Sequence, residues 1–285
     1  MRRREKLRIK RKPADYMFAV FMICMACIFL APLYFLVVGS FRPSSDLISY
    51  GLGLRIDISR MSLDNYVIAF AYRGGVYLKW YFSSLSIMLM QTVCGLFFSS
   101  LVGYGLGMYK FKGRGLLLIM DLILMMLPFE ILILPLYQLV ARMRLLDTRF
   151  GVVMPLMVAP FMIFFFRQSV IGLPKELADA ARIDGCGEFR IYWNIMVPLM
   201  RASFGAMGIF CAMGSWNNVL WPLIVLQSNE KLTLPIGLSS LLTPYGNAYD
   251  VLMPGAVLAI VPIMIVFFFF QRSFVSGLTI GSIKG

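Results

Sequence analysis

Long apolar blocks recur along this sequence, and they constrain its fold more than any other feature. Of the 285 residues, 60% are hydrophobic. A run of ~20 apolar residues is long enough to cross the hydrocarbon core of a bilayer. Every backbone amide there must be paired within the protein, so each block is predicted to be a helix. We predict an all-α membrane protein with six transmembrane helices, in the ranges 16–38, 82–108, 116–140, 150–166, 202–226 and 251–270.

The distribution of Lys and Arg predicts the orientation of these helices, because cytoplasmic loops of membrane proteins are enriched in basic residues. Segments on one side of the predicted membrane hold 18 of the 27 Lys and Arg residues, and those on the other side hold nine. We therefore place a basic N-terminus (1–15), a polar loop (172–200) and a C-terminal tail (271–285) in the cytoplasm. A loop at 227–250 is predicted outside, and the transmembrane domain covers 16–270. The net charge of +13 then reflects topology and attraction to anionic lipid, and it does not indicate a nucleic-acid partner.

The residue types exclude several kinds of catalytic site. The sequence has no histidine, which removes Ser/His and Cys/His catalytic arrangements and the commonest metal ligand. Cys24 and Cys27 form a CxxC inside the first apolar block, where zinc would need two further ligands, so we interpret them as packing residues. There is no GxxxxGK[ST] phosphate loop, so the chain is not expected to hydrolyse ATP. We predict no catalytic residue, metal site or cofactor in this chain.

Two acidic residues lie inside the third apolar block, where charged groups are costly and often functional. Asp121 lies close enough to the cytoplasmic end of the block to reach the interface. Glu130 lies deeper and follows Pro128, which is expected to kink or break the helix. Three interpretations of Glu130 stay open: a place on a transport pathway, a contact with another subunit, or a place at the opposite membrane interface beyond the break.

The polar loop reads LPKELADAARIDGCGEFRIYWNIMVP, which predicts two short helices around an Asp-Gly-Cys-Gly turn. Glu176 and Asp179 place acidic groups near the start of the first helix, where the helix dipole favours them. Gly185 is a typical C-terminal stop. The second helix is predicted at 188–197, ending before Pro198.

The first predicted helix carries a stripe of apolar and mostly short side chains, formed by Leu177, Ala180, Ala181 and Ile183. Such a stripe suits docking into a groove of a partner protein. Asp184 is unusual, because an acidic residue at the C-terminal end of a helix opposes the helix dipole. It could cap the following helix or pair with a cation on a partner, and both interpretations stay open. The loop is therefore expected to be bound and moved by a soluble partner protein.

The spacing of the loop residues resembles the EAA motif of bacterial ABC-importer permeases. Asp179-Ala180-Ala181 stand in the place of Glu-Ala-Ala, Asp184-Gly185 in the place of Asp-Gly, and Pro198 in the place of the terminal Pro. The sequence departs from the motif by Asp for Glu at Asp179, by Cys186 where the family favours Ala, and by Tyr192 where it favours Phe.

The resemblance continues over nearly the whole chain. SWNNVLWPLIVL (215–226) resembles the fifth-helix segment of this family, and LTLPIGLSSL (232–241) resembles the external loop that follows it. The segment 252–285, which ends in GLTIGSIKG, resembles the last helix and tail of the carbohydrate-uptake branch, close to the maltose-type second permease subunit.

The resemblance implies the fold of a type I ABC importer permease in the bacterial plasma membrane, with both termini cytoplasmic. It also implies the partners: a second homologous permease in a heterodimer, two ATPase subunits that hold ATP and Mg, and an external solute-binding protein. The implied function is import of a sugar or oligosaccharide through a pore of which this chain forms half. The alternatives are an importer of another solute, such as a glycerol phosphate, and a secondary transporter, although no internal repeat supports the latter.

The resemblance and the residue types also suggest roles for particular residues. Candidate ATPase contacts are Glu176, Asp179, Ala180, Ala181, Asp184, Gly185 and Pro198 in the loop, and Gly281, Ser282, Ile283, Lys284 and Gly285 in the tail. Candidate contacts to the binding protein are Pro235, Gly237, Tyr245 and Gly246, unless they form an ordinary surface loop.

A candidate substrate path is formed by Trp216, Asn217, Asn218, Trp221 and Glu130, because sugars bind to aromatic faces and amides. Asn217 and Trp221, four residues apart, could share one helical face. The alternative for these residues is an interfacial tryptophan belt with interhelical hydrogen bonds.

Overall fold

A computed structural model describes residues 13–50, 58–242 and 248–280, and this part of the chain contains helices and no strand. The helices are α1 (Pro13–Ser40), α2 (Ser44–Tyr50), α3 (Asp64–Ala71), α4 (Val76–Met108), α5 (Arg114–Met126), α6 (Phe129–Arg142), α7 (Arg149–Val153), α8 (Pro160–Ile171), α9 (Glu176–Ile183), α10 (Glu188–Ile191), α11 (Val197–Leu199), α12 (Arg201–Trp216), α13 (Leu220–Val225), α14 (Leu234–Ser239) and α15 (Tyr249–Ile280). Short 3₁₀ turns cover Ile58–Arg60, Met154–Leu156 and Asn229–Lys231, and Tyr192–Met196 is a π-helical turn. The predicted all-α fold class is confirmed.

Three helices of the described chain, α1, α4 and α15, are long and apolar enough to cross a membrane unaided. Three further crossings need two helices each, joined at a sharp bend. These pairs are α5 with α6, bent by 106°, Arg149–Leu156 with α8, bent by 48°, and Glu188–Leu199 with α12, bent by 81°. By length and composition the described residues therefore offer up to six crossings if each bent pair forms one span. The predicted helices at 116–140, 150–166 and 202–226 are each interrupted.

The bends have local causes in the backbone. Leu127 is extended, with ψ of 125°, because the residue before a proline is pushed out of the helical region, and Pro128 itself has a non-helical ψ of 133°. The predicted helix at 116–140 is therefore two helices. Ala159 is likewise extended before Pro160, so the predicted helix at 150–166 is also divided. The predicted helix at 202–226 ends at Trp216, and α13 follows after a short break.

Small residues on α4 let α8 approach closely. Ser99, Gly103 and Gly107 are spaced by four and lie on one face of α4, and all three are buried. A Cβ on Gly103 would lie 2.8 Å from the carbonyl oxygen of Ile163, and one on Gly107 would lie 2.7 Å from Val170. Close backbone approach of this kind is the usual way in which membrane helices pack. The α4–α8 contact thus joins the centre of the molecule to the polar loop that follows α8.

The other helices are arranged around α4. Helix α12 packs on both α4 and α15, and Trp216 closes this contact by donating a hydrogen bond to the carbonyl of Ala259, at 3.1 Å. Helix α1 lies against α15 with nearly all of its apolar side chains exposed. An apolar helix that is exposed to this extent is compatible with lipid or with another membrane subunit, but not with water.

Candidate functional site

Helix α9 in the polar loop has an inner and an outer face. Ala178 and Ala181 are buried against the cluster that includes Phe166 and Tyr192. The outer face is exposed and consists of Glu176, Leu177, Ala180, Ile183 and Asp184. The predicted apolar stripe is therefore wrong at Ala181, which faces inward, whereas Ile183 is 87% exposed.

The Asp-Gly pair ends α9 by a specific backbone arrangement. Gly185 has φ of +81°, which is a left-handed conformation that glycine adopts without a steric penalty. Its N–H donates to the carbonyl of Arg182 at 3.0 Å, and the N–H of Cys186 donates to that of Ala181 at 2.9 Å. These two bonds form a Schellman motif, so the prediction that Gly185 stops the helix is confirmed.

Asp184 does not cap the next helix, because the N-cap position of α10 is Gly187 and no side chain caps that helix. Within the described residues its carboxylate makes no hydrogen bond or ion pair, and the residue is exposed on the outer face of α9. The capping interpretation is therefore wrong. The unpaired carboxylate is compatible with the second interpretation, a cation on a partner.

A charged clasp, which we define as Asp179, Arg182, Glu188 and Tyr109, fixes α9 from the side. Arg182 contacts Asp179 at 2.5 Å and binds Glu188 through two nitrogens, at 2.7 and 3.2 Å. The hydroxyl of Tyr109, just beyond α4, donates to Glu188, and the Arg182 guanidinium lies 5.8 Å from the centre of the Tyr109 ring. The clasp thus joins both loop helices to the C-terminal end of α4.

Electrostatics follow from these contacts. The hydrogen bond from Arg182, with a further one from Tyr109, holds the pKa of the Glu188 carboxyl below its usual range. The same bond raises the pKa of Arg182 above its usual value. The sequence analysis missed Arg182 and Glu188 as a pair. Their signal was present, because Arg182 lies one helical turn after Asp179 and within reach of the start of the second helix.

The second loop helix continues past its predicted end. In the π-helical turn, the N–H of Val197 bonds to the carbonyl of Tyr192, and the helix proceeds through Pro198 to Leu199. A proline ring clashes with the carbonyl four residues earlier in a regular α-helix, and the wider turn avoids this clash. The prediction of an end before Pro198 is therefore wrong. Tyr192 is buried, and its hydroxyl lies 2.6 Å from that of Ser100 on α4, which satisfies the polar group at this position.

A second polar junction lies at the other end of the molecule, and the sequence analysis missed it too. We call it the external junction, after the side on which the loop at 227–250 is predicted to lie: Asp147 with Gln227, Ser228 and Lys231. One carboxylate oxygen of Asp147 accepts the N–H groups of Gln227 and Ser228, both at 3.0 Å. The other accepts the Ser228 hydroxyl at 2.6 Å and the Lys231 ammonium at 2.7 Å. Partial burial alone raises the pKa of Asp147, but these four hydrogen bonds outweigh it and hold that pKa well below its usual range.

The predicted contacts to a binding protein are only partly described. Gly237 on α14 is buried against Trp80, and a Cβ there would lie 2.2 Å from the indole ring. This packing accounts for the glycine and leaves it no exposed surface to offer a partner. Pro235 is half-buried beside the exposed Ser239 and Ser240. Tyr245 and Gly246 lie outside the described residues, as do the predicted tail contacts at 281–285.

The two tryptophans of the predicted substrate path are structural. Trp221 is fully buried, and its ring nitrogen donates to the carbonyl of Val152 at 3.0 Å. Trp216 is buried between α12 and α15 as described above. The helical relation predicted between Asn217 and Trp221 does not exist, because α12 ends at Trp216 and Trp221 belongs to the next helix, α13. Neither tryptophan offers a ring face to a substrate in this conformation, and their place on a substrate path stays a prediction.

The polar members of that path remain at the surface. Asn217 is exposed at the end of α12, next to the exposed Met213 and Gly214. Asn218 is half-buried, and its side-chain oxygen accepts the N–H of Trp221 at the start of α13, at 3.4 Å. Glu130 is exposed in the first turn of α6, directly after the 106° bend. The structure does not bring Glu130 into a contact with Asn217 or Asn218, and the role of all three stays a prediction.

Comparison with known proteins identifies the family of the chain and supports the helical membrane fold described above. Residues 95–280 match the family described as "Binding-protein-dependent transport system inner membrane component". The chain belongs to that family. The arabinooligosaccharides transport system permease protein AraQ of Bacillus subtilis (strain 168) is 52% identical over 267 residues, with 93% of this chain and 94% of AraQ covered. The lactose transport system permease protein LacG of Rhizobium radiobacter is 36% identical, with 96% and 98% covered.

A solved structure shows the same fold as this family member. It is described as "Crystal structure of a bacterial ABC transporter involved in the import of the acidic polysaccharide alginate". The match has a TM-score of 0.80 at 20% identity and covers 93% of this chain and 99% of the other. The fold of an ABC importer permease is therefore confirmed. As an inner membrane component, the chain is a membrane protein.

Proposed function

We propose that this chain is one permease subunit of an ATP-driven, binding-protein-dependent importer for an oligosaccharide. It would form half of the pore with a second homologous permease in the bacterial plasma membrane, with both termini cytoplasmic. The relatives named for arabinooligosaccharides and lactose support a sugar substrate, since they are similar along nearly their whole length. ATP hydrolysis, with its Mg, is assigned to two separate ATPase subunits, and this chain is a non-catalytic subunit.

The outer face of α9 is the observation that carries the coupling role. Leu177, Ala180 and Ile183 leave an apolar surface uncovered beside the unpaired Asp184, while the opposite face is anchored in the protein. An apolar, exposed helix face of this kind marks an interaction site. We therefore assign this face to the ATPase subunit, with Gly185 setting the end of the helix.

Two connections would transmit movement of α9 into the membrane. The charged clasp joins α9 to the end of α4, which runs through the centre of the molecule. The second loop helix continues without a break through Pro198 and meets α12 at the 81° bend. Closure of an ATPase dimer would thus move α4 and α12 together, which is how a small shift is amplified between two packed states.

The coupling role is tested by the ATPase activity of the complex reconstituted with its candidate partners, with and without loaded binding protein. We expect binding protein to stimulate the wild type and Asp184→Ala to lose stimulation or assembly. Glu230→Ala, which removes an exposed acid on the external side, is the matched control and should behave as the wild type does. Normal stimulation of the Asp184→Ala complex would contradict the role, as would transport without any ATPase.

The substrate class has one serious alternative. The sn-glycerol-3-phosphate transport system permease protein UgpE of Agrobacterium fabrum is 31% identical, with 95% of this chain covered. Uptake of labelled arabino-oligosaccharide and of labelled glycerol 3-phosphate should be compared in cells with and without the chain. Loss of only the oligosaccharide uptake is expected, and loss of only the phosphate uptake would favour the alternative.

A further inference from the structure

A groove on the surface of the transmembrane domain has no role in the account above. It has a volume of about 710 Å³ and lies between α4, α12 and α15. Its floor consists of small residues of α12, including Gly205 and Gly208, and its walls are apolar side chains such as Val93 of α4 and Phe269 of α15. It continues to Arg201 and Pro198 at the end of the polar loop.

The groove is separate from the exposed polar end of α12. At 100° per residue, Gly205, Gly208 and Ala212 lie on one side of α12, whereas Gly214 and Asn217 lie on the other. The groove side is flanked by α4 and α15, and the opposite side carries the exposed residues. A site in this groove would therefore be distinct from the candidate substrate path.

Arg201 is the one charged residue that lines the groove. It is exposed, and within the described part of the chain it forms no hydrogen bond or ion pair through its side chain. It stands at the first position of α12, on the side of the membrane that the basic loops assign to the cytoplasm. Basic pockets between membrane helices on this side bind anionic lipid head groups.

The length of the groove and the position of its one charge suit a lipid of a single leaflet. From Arg201 to Ala212 the groove extends ~16 Å at 1.5 Å per residue, which matches roughly half of the ~30 Å hydrocarbon core. A lipid with its head group at Arg201 would therefore lay its acyl chains along the apolar walls over the depth of one leaflet.

We propose that this groove binds an anionic phospholipid of the inner leaflet, with its phosphate at Arg201 and its acyl chains on Gly205, Gly208 and Ala212. Because the groove includes Pro198, the bound lipid would lie against the segment that joins the polar loop to α12. This inference concerns lipid binding and holds whether or not the transported solute is a sugar.

The experiment measures binding of labelled phosphatidylglycerol to the native assembly, purified through a tag on this chain and exchanged into phosphatidylcholine nanodiscs. We expect Arg201→Gln to weaken binding about five-fold, which is the contribution of one basic residue near a membrane surface. Arg201→Lys should retain most of the binding. Arg190→Gln, an exposed arginine of the same loop outside the groove, is the control and should bind as the wild type does.

A second variant tests the acyl-chain site without changing charge. A Cβ on Gly208 would have only Leu96 nearby, at 3.7 Å, so Gly208→Leu fills the groove without a backbone clash. We expect it to lose lipid binding, whereas Gly214→Leu on the opposite side of α12 keeps it. Equal binding by Arg201→Gln and Arg190→Gln would overturn the proposal. So would unchanged binding by Gly208→Leu, or a cross-link from a cysteine at Val93 to the second permease, because that subunit would then occupy the groove.

Discussion

Asp147, at the end of the molecule that is predicted to be external, and Arg182, at the end predicted to be cytoplasmic, both anchor loop segments, but they do so differently. Asp147 joins segments some 80 residues apart in the sequence, whereas Arg182 joins two consecutive loop helices. Asp147 accepts four hydrogen bonds through its carboxylate, and its own N–H donates to the carbonyl of Val225 at 2.8 Å. Arg182 binds two carboxylates from the edge of α9, and the helix keeps an exposed apolar face beside it.

The difference separates a frame from a contact surface. At the external junction the polar groups are satisfied within the chain, so the loops before α7 and after α13 are held together without a partner. In the polar loop the inner side of α9 is packed against the rest of the chain, while Leu177, Ile183 and Asp184 on its outer side are exposed. We infer that the external junction stabilises the subunit and that the charged clasp positions a surface for another protein.

Removal of the Asp147 carboxylate should have the largest effect on stability. Asp147→Ala leaves Lys231 and two backbone amides without their acceptor, and such losses cost about 2 kcal/mol for a charged group that is mostly covered. The apparent Tm of the purified protein should fall. Asp147 has φ of +58°, a conformation that asparagine tolerates, so Asp147→Asn is the control that keeps the backbone and loses the charge. An unchanged Tm for Asp147→Ala would show that the junction does not act as a frame.

The pH dependence should sharpen this assignment. The folded-state pKa of Asp147 lies below its unfolded value of ~3.9, so its stabilisation is present above that value and is lost as the pH falls through the folded pKa. The Tm difference between the wild type and Asp147→Asn should be constant from neutral pH to about pH 4 and should shrink below that. A difference that already disappears between pH 7 and pH 5 would contradict the assignment.

Loss of the clasp should have a smaller effect, confined to the loop. Arg182→Met keeps the apolar stem and removes both ion pairs, which are partly exposed and therefore contribute about 1 kcal/mol or less. Hydrogen exchange of residues 176–191 should become faster while the Tm changes little. Asp179→Asn, which loses one of the two pairs, should show a weaker increase. Unchanged exchange in Arg182→Met would mean that packing of Ala178 and Ala181 alone positions α9.

The smallest effect is expected for the pair of Lys79 and Glu230 at the external side. The two groups lie 2.7 Å apart, but their side chains are 46% and 67% exposed. Solvent screens such a pair, so Lys79→Ala should change stability by less than about 0.5 kcal/mol. A loss as large as that of Asp147→Ala would show that this end of the molecule is held by distributed surface charge and not by the hydrogen bonds of Asp147.

The cytoplasmic loop was largely predictable because its signals are local. Gly185 stops a helix wherever the chain requires a left-handed residue, and the acidic residues before it mark the helix start. Apolar blocks likewise predicted where the long helices α1, α4 and α15 lie. The bend at Pro128 was foreseen as a kink, but its size was not, because a proline disfavours one conformation without fixing the angle that replaces it.

The external junction and the tryptophans were not predictable in the same way. Asp147 acts on residues that follow it by some 80 positions, and nothing in its own neighbourhood specifies that contact. Trp216 and Trp221 have the composition of a sugar site, but the direction of each side chain depends on where α12 ends. The spacing of Ser99, Gly103 and Gly107, four residues apart, indicates a face of α4 that suits close helix packing. This signal was present in the sequence and was missed.

Cross-linking from the outer face of α9 distinguishes a surface that couples to the ATPase from a loop that is only local structure. Ile183→Cys, in a Cys186→Ser background that removes the neighbouring thiol, places a reactive group on the exposed face. Lys110→Cys, on the loop between α4 and α5, is the control. In the assembled complex we expect a cross-link from Ile183→Cys to the ATPase subunit that changes in yield when ATP is added, and little or none from Lys110→Cys. Equal yields from both positions, or a cross-link from Ile183→Cys only within this chain, would contradict the assignment of α9 as the coupling surface.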